Sequence, residues 1–197
     1  MEKRRLKMRF YKSSSVKNKV TAIQFPSVIS RGCGACYKDA FMFTANKADL
    51  TAQQVYFAIF AELPQWVRGL LTLRNKVVSL FGFLATDNNM GSSLTSMKTG
   101  ESAGFLRYQL VSDEQVVSTS EELNMAIWLT VKRVSQSQFI VATEVELRTL
   151  KGRVYMAIIK PFHRLTAPFC IRYALKMNRI SNIKASMCWL LFVIHLS

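Results

Sequence analysis

From Leu123 to Val131 the chain alternates without a break. Leu123, Met125, Ile127, Leu129 and Val131 fall on one face, Asn124, Ala126 and Thr130 on the other. A period of two marks a strand with one covered and one wetted face, as in antiparallel sheets. Phe105–Val111 repeats the pattern with Leu106, Tyr108 and Leu110 against Arg107 and Gln109. Phe139–Leu147 does so again, with Phe139, Val141, Val145 and Leu147 opposite Glu144 and Glu146. SDEQ (112–115) and VSQSQ (134–138) read as the turns between these strands. The period then switches. From Gly152 to Met177, Val154, Ile158, Phe162, Leu165 and Phe169 share one arc at about 100° per residue, with Arg153, Lys160 and Arg164 opposite. This predicts a long amphipathic helix that buries the arc, bent or broken at Pro161 and Pro168. Several antiparallel strands followed by one long helix leave few ways to cover both apolar surfaces.

Upstream, YKDAFMFTA (37–45) is an aromatic-rich strand that places Tyr37, Phe41 and Phe43 on one face. Asp39 shares that face and needs a partner if buried. Asp49 or Thr51 can cap a helix running through Glu62. Pro64 suits the first turn of a second helix, PQWVRGLLTLRNKVVSLFG, which stops at Gly82. Residues 85–103 are polar and rich in Gly and Ser and read as a long connection. The predicted fold is α+β: a curved antiparallel sheet wrapped around a long C-terminal helix, with two helices after the first strand. This helix-grip layout often leaves a cavity between sheet and helix.

Three blocks, YKDAF, PQWVRGLLTLRNKVVSLFGF and LRTLKGRVYMAIIKPFHRL, resemble a bacterial family, domain of unknown function twenty-eight sixty-seven. The likeness covers about residues 20–177. It implies a START/Bet v 1-like, helix-grip fold and no established activity. Members tend to carry an acidic–x–His–Leu–Asp block on the third strand. Here Ser120-Glu121-Glu122-Leu123-Asn124 stands in its place, so any chemistry of that His and Asp would be absent.

Charge is segregated. Residues 1–20 sum to +7, residues 148–197 to +9, and residues 21–147 to −1. The expected organisation is a basic arm over 1–19, a helix-grip domain over 20–177 and an atypical apolar tail over 178–197. The longest apolar run, MCWLLFVIHL (187–196), is too short to span a bilayer. No apolar stretch follows the basic start, which argues against a secretory signal. Four cysteines are then expected reduced, in the cytoplasm.

Cys33 and Cys36 have the C-x-x-C spacing of zinc and redox sites. They precede a strand rather than open a helix, and the remaining soft donors, Cys170, Cys188, His163 and His195, are far along the chain. No metal or cofactor is expected. Serine-nucleophile, phosphate-loop and dinucleotide fingerprints are absent. Asp39, Arg74 and Arg107 are candidates for a charged cluster, in which Asp39 takes an Arg partner. Trp66 reads as core or as the mouth of a pocket. His163 reads as a hydrogen-bonded structural histidine or as a general base. Together Asp39, Trp66, Arg74, Arg107 and His163 form the expected ligand-binding set. The resulting expectation is non-catalytic binding of an apolar small molecule or lipid in an internal cavity. A cyclase- or hydrolase-like enzyme using Asp39 and His163 is one alternative. The other is a peripheral contact with anionic membrane or nucleic acid through the basic ends.

Overall fold

The computed structural model describes residues 19–32, 36–61, 63–70, 72, 97–103, 105–177 and 179–180. Seven strands form one antiparallel sheet: β1 (Val20–Ala22), β2 (Cys36–Thr44), β3 (Ser102–Ala103), β4 (Leu106–Val111), β5 (Gln115–Glu121), β6 (Met125–Arg133) and β7 (Gln138–Leu147). Their spatial order is β1-β2-β7-β6-β5-β4-β3. The hairpins β4–β5–β6–β7 follow chain order, and β2 closes the sheet by pairing with β7. Helix α1 (Ala52–Phe60) starts at Thr51, whose side chain accepts from Gln54 N while Gln54 caps in return. A second helix, α2, covers residues 65–70 in the described part. Helix α3 (Leu150–Lys176) starts at Thr149 and returns across the sheet. The architecture is the expected α+β helix-grip.

The inner face of the curved sheet meets the helices in two apolar clusters. Phe41, Phe43, Val116, Val131, Phe139 and Val141 pack with Val55, Tyr56 and Ile59 of α1 and with Cys170, Ile171, Ala174 and Leu175 of α3. Ile180, just past α3, joins this core. Nearer the start of α3, Tyr37, Met125 and Val145 pack with Tyr155 and Met156. On the outer face, Ile23, Phe25 and Ile29 cover Ala40, Ile140 and Ala142. Glu144, 2 % exposed, pins that covering segment by accepting from Arg31 N at 2.9 Å and pairing with Lys38 at 3.1 Å.

Several expectations are corrected. Strand β5 is an addition to the expected strands: only Gln115 falls in an expected element, the SDEQ turn, because QVVSTSE carries its two valines side by side and shows no alternation. Its Ser118 is buried and hydrogen-bonds Tyr56 at 2.9 Å, a polar residue doing core duty. Strands β1 and β3 are too short to show a period. Leu110 faces solvent, since a bulge after Tyr108 shifts the register. Leu123 sits in the β5–β6 turn, 87 % exposed.

Helix α3 runs through both prolines. The carbonyls they leave without an N–H, those of Ala157 and Arg164, belong to exposed residues that water can serve. The buried side of α3 is not the expected arc. Val154, Ile158, Phe162, Leu165 and Phe169 are 38–69 % exposed, while Gly152, Tyr155, Met156, Cys170, Ile171, Ala174 and Leu175 are buried. The helix is apolar over two adjoining sectors, so periodicity alone could not choose between them. Close approach decides. A Cβ on Gly152 would lie 2.5 Å from the Asn124 carbonyl oxygen, so this side of the helix docks where a larger residue could not.

Candidate functional site

Strand β2 aims its odd residues at α3, and Asp39 stands between Tyr37 and Phe41 on that face. Its carboxylate is held twice through one oxygen. Tyr37 donates its hydroxyl to Asp39 Oδ2 at 2.7 Å, and His163 Nδ1 approaches the same oxygen at 2.8 Å. The carboxylate accepts, so Nδ1 carries the hydrogen, and in the neutral ring Nε2 is left with its lone pair. The Asp39 side chain is 9 % exposed and the His163 side chain 28 %. Tyr37 packs edge-on to the imidazole at 5.9 Å, with Lys160 Nζ 5.9 Å from the phenol ring centre. Burial, reinforced by the Asp39 hydrogen bond and charge, pushes the Tyr37 hydroxyl far above its ordinary range, against the opposing pull of Arg164. The phenol therefore remains a hydrogen-bond donor to Asp39 at any physiological pH. The second carboxylate oxygen, Oδ1, is buried and has no partner among the described residues.

His163 also lines a partly open pocket. Between α3 and the sheet lies a space of about 130 Å³, lined by Ile59 and Phe60 of α1, Leu63, Val67 of α2, Leu129, Val141 and Thr143 of the sheet, and His163, Thr166, Ala167, Cys170 and Ile171 of α3. Only Thr143, His163 and Thr166 give this wall hydrogen-bonding side chains beyond the Cys170 thiol. Thr143 is the cross-strand partner of Asp39 and pairs with Leu129 on the other side. Register thus sets the polar end of the cavity beside the relay. Burial raises the Cys170 thiol to about 11, so it stays protonated and a poor nucleophile.

Of the expected set, the structure brings together Asp39 and His163. Arg107 is corrected: it lies on β4, across the sheet from β2, and its Nε bonds the Gly100 carbonyl at 3.1 Å. The partners of Asp39 are a tyrosine and a histidine, because α3 delivers His163 directly above it. Trp66 is 45 % exposed and packs edge-on to Phe169 at 4.7 Å, so it is not core. Its neighbour Val67 lines the cavity instead. Arg74 and Cys33 lie outside the described residues, as do the arm over 1–18, residues 73–96 and the tail from 181. The cavity's Thr143, Thr166 and Cys170 gave no signal of their own. Tyr37 could have been found from its i, i+2 spacing to Asp39.

Asn124 lies at the start of α3, where Thr149 Oγ1 donates to its Oδ1 at 2.8 Å and Arg148 N to its carbonyl at 3.0 Å. Asn124 thus anchors the start of the helix and is not among the residues that line the pocket. Among the described residues, no three His, Cys, Asp or Glu side chains gather to hold a metal ion.

A curved antiparallel sheet packed against a long C-terminal helix, with a pocket between them, makes this a domain of helix-grip architecture. Within that class the chain belongs to the family described as Protein of unknown function (DUF2867), which matches residues 33–170, more than two thirds of its length. No curated protein matches the sequence. Among solved structures, a Thalictrum flavum norcoclaurine synthase point mutant in complex with a transition-state analogue is similar at 11 % identity. That likeness covers 83 % of this chain and 99 % of that one, but its TM-score of 0.28 carries no argument.

Proposed function

We propose that the domain, residues 20–177 between the basic arm and the apolar tail, binds a small, mostly apolar molecule that carries one hydrogen-bond donor. The observation that supports this reading is the pocket itself: apolar on nearly every side, with His163, hydrogen-bonded to Asp39, in its wall; on this reading His163 Nε2 is the acceptor that meets the ligand's donor. A space of about 130 Å³ is close to the ~150 Å³ of a dry apolar cavity that takes benzene. It suits one ring or a short alkyl segment, or the end of a longer molecule. Asp39 and Tyr37 fix the imidazole's tautomer, so the acceptor is oriented before any ligand arrives.

Thermal-shift titrations with phenol and benzene test this. Both should stabilise the protein, phenol more. Ala167→Leu, which fills the cavity, should abolish both shifts, and His163→Phe should erase the preference for phenol. Undiminished binding in Ala167→Leu would place the ligand elsewhere.

The Asp39–His163 contact also favours a second reading, a general-base enzyme acting on the bound molecule. The carboxylate would stabilise an imidazolium formed when Nε2 takes a proton. Turnover of an activated phenyl ester that falls about a hundredfold in His163→Gln would establish it. Equal rates in both proteins would leave binding alone.

A further inference from the structure

Helix α3 carries a continuous apolar row on the side turned away from its buried face. Val154, Ile158, Phe162, Leu165 and Phe169 are exposed at spacings of four, four, three and four, over about 22 Å of helix. Trp66 extends the row by packing on Phe169. Single exposed apolar residues are ordinary, but five in register beside an indole make a patch that calls for a partner. The charged residues of α3 are all cations; Lys151, Arg172 and Lys176 fall in the sector of the row at 100° per residue, whereas Arg153, Lys160 and Arg164 lie opposite it. No acid occurs anywhere in residues 148–197.

Nucleic acid would use those cations and leave the apolar row wet. A second copy docked through the row would set cation against cation. An anionic bilayer satisfies both features at once. Apolar side chains enter the boundary of the acyl region, Lys and Arg reach the lipid phosphates, and Trp66 sits at headgroup depth. No helix among the described residues is long and apolar enough to cross a membrane, so α3 would lie in the plane of the surface. We infer that the outer face of α3, with Trp66, docks this protein on an anionic lipid surface. The inference is independent of what fills the cavity.

Flotation of the full chain with vesicles tests it. Binding to phosphatidylcholine mixed with phosphatidylglycerol should exceed binding to phosphatidylcholine alone by about tenfold or more, since each cation near an anionic surface is worth about fivefold. Phe162→Ser/Leu165→Ser and, at the other end of the row, Val154→Ser/Ile158→Ser should each cut that binding about tenfold while melting as the parent does. No binding to mixed vesicles overturns the inference. So does binding that both double variants leave intact, because the basic ends alone would then account for it. A lower melting temperature in both variants would show the row covered by the rest of the chain. Loss of a parental dimer would show it covered by a second copy. Vesicle binding abolished in the parent by equimolar duplex DNA, with the apolar variants unchanged, would assign the face to nucleic acid. Each of these three results also overturns the inference.

Discussion

Tyr56 shows how a single buried hydroxyl can tie the fold to pH. Its ring is fully buried between α1 and the sheet, and burial raises its hydroxyl from 10.0 to about 12, against the opposing effect of the hydrogen bond with Ser118. Above pH 10 the unfolded chain sheds a proton that the folded protein keeps. The stabilisation due to Tyr56 is therefore complete below pH 10 and disappears as pH rises toward 12, a loss of roughly 2–3 kcal/mol. Urea titrations of Tyr56→Phe should show about 1 kcal/mol lower stability at pH 7 and a shallower decline above pH 10. Cys170 offers a second residue-scale check. Its thiol, raised to about 11 and set in the cavity wall, should alkylate far more slowly at pH 8 than an ordinary cysteine, and more slowly still with phenol bound. Peptide-resolved mass spectrometry after iodoacetamide would read both effects.

At the scale of elements, the junction of α3 with the β5–β6 turn governs where the helix lies, and hence where His163 falls. Gly152 N donates to Thr149 Oγ1 at 3.2 Å, and Thr149 in turn donates to Asn124. Gly152→Ala would push a methyl to 2.5 Å from the Asn124 carbonyl oxygen and should cost about 1–3 kcal/mol by chemical denaturation, despite alanine's better helix propensity. Substitution at Gly69, whose Cβ would meet nothing within 4 Å, should not show this penalty. The strands β4, β6 and β7 were legible because apolar residues recur at every second position in each, although the outer face of β7 proves to be covered too. Strand β5 was not, because it buries Val116, Val117 and Ser118 in succession. The existence of α3 was legible and its rotation was not. Apolar residues occupy two of its sectors, and only the fit of Gly152 against Asn124 selects one.

At the scale of the whole molecule, the described residues form a sheet that bends around one helix and leaves a small apolar space beneath it. The site was half legible. An acid on an aromatic strand signalled that a partner must exist, and one histidine in the domain was a candidate to touch a ligand. That the two are partners depends on α3 passing over β2, a contact 124 residues apart in sequence that no local pattern encodes. Arg107 carried the same signal for pairing with Asp39 and lies strands away from it. Removing the relay should be felt throughout the molecule. Asp39→Asn keeps the shape and one acceptor oxygen but loses the charge that strengthens both hydrogen bonds and buries an amide N–H where Oδ1 has no partner among the described residues, and should lower stability by about 1–3 kcal/mol. The most direct measurement is the nitrogen NMR spectrum of the His163 ring in the full chain, recorded with and without saturating phenol at neutral pH. Hydrogen on Nδ1, a bare Nε2 in the free protein and an upfield move of Nε2 alone on phenol binding are the expected result. A ring protonated on Nε2, or one that does not respond while phenol binds, would contradict the claim that His163 is the cavity's oriented acceptor.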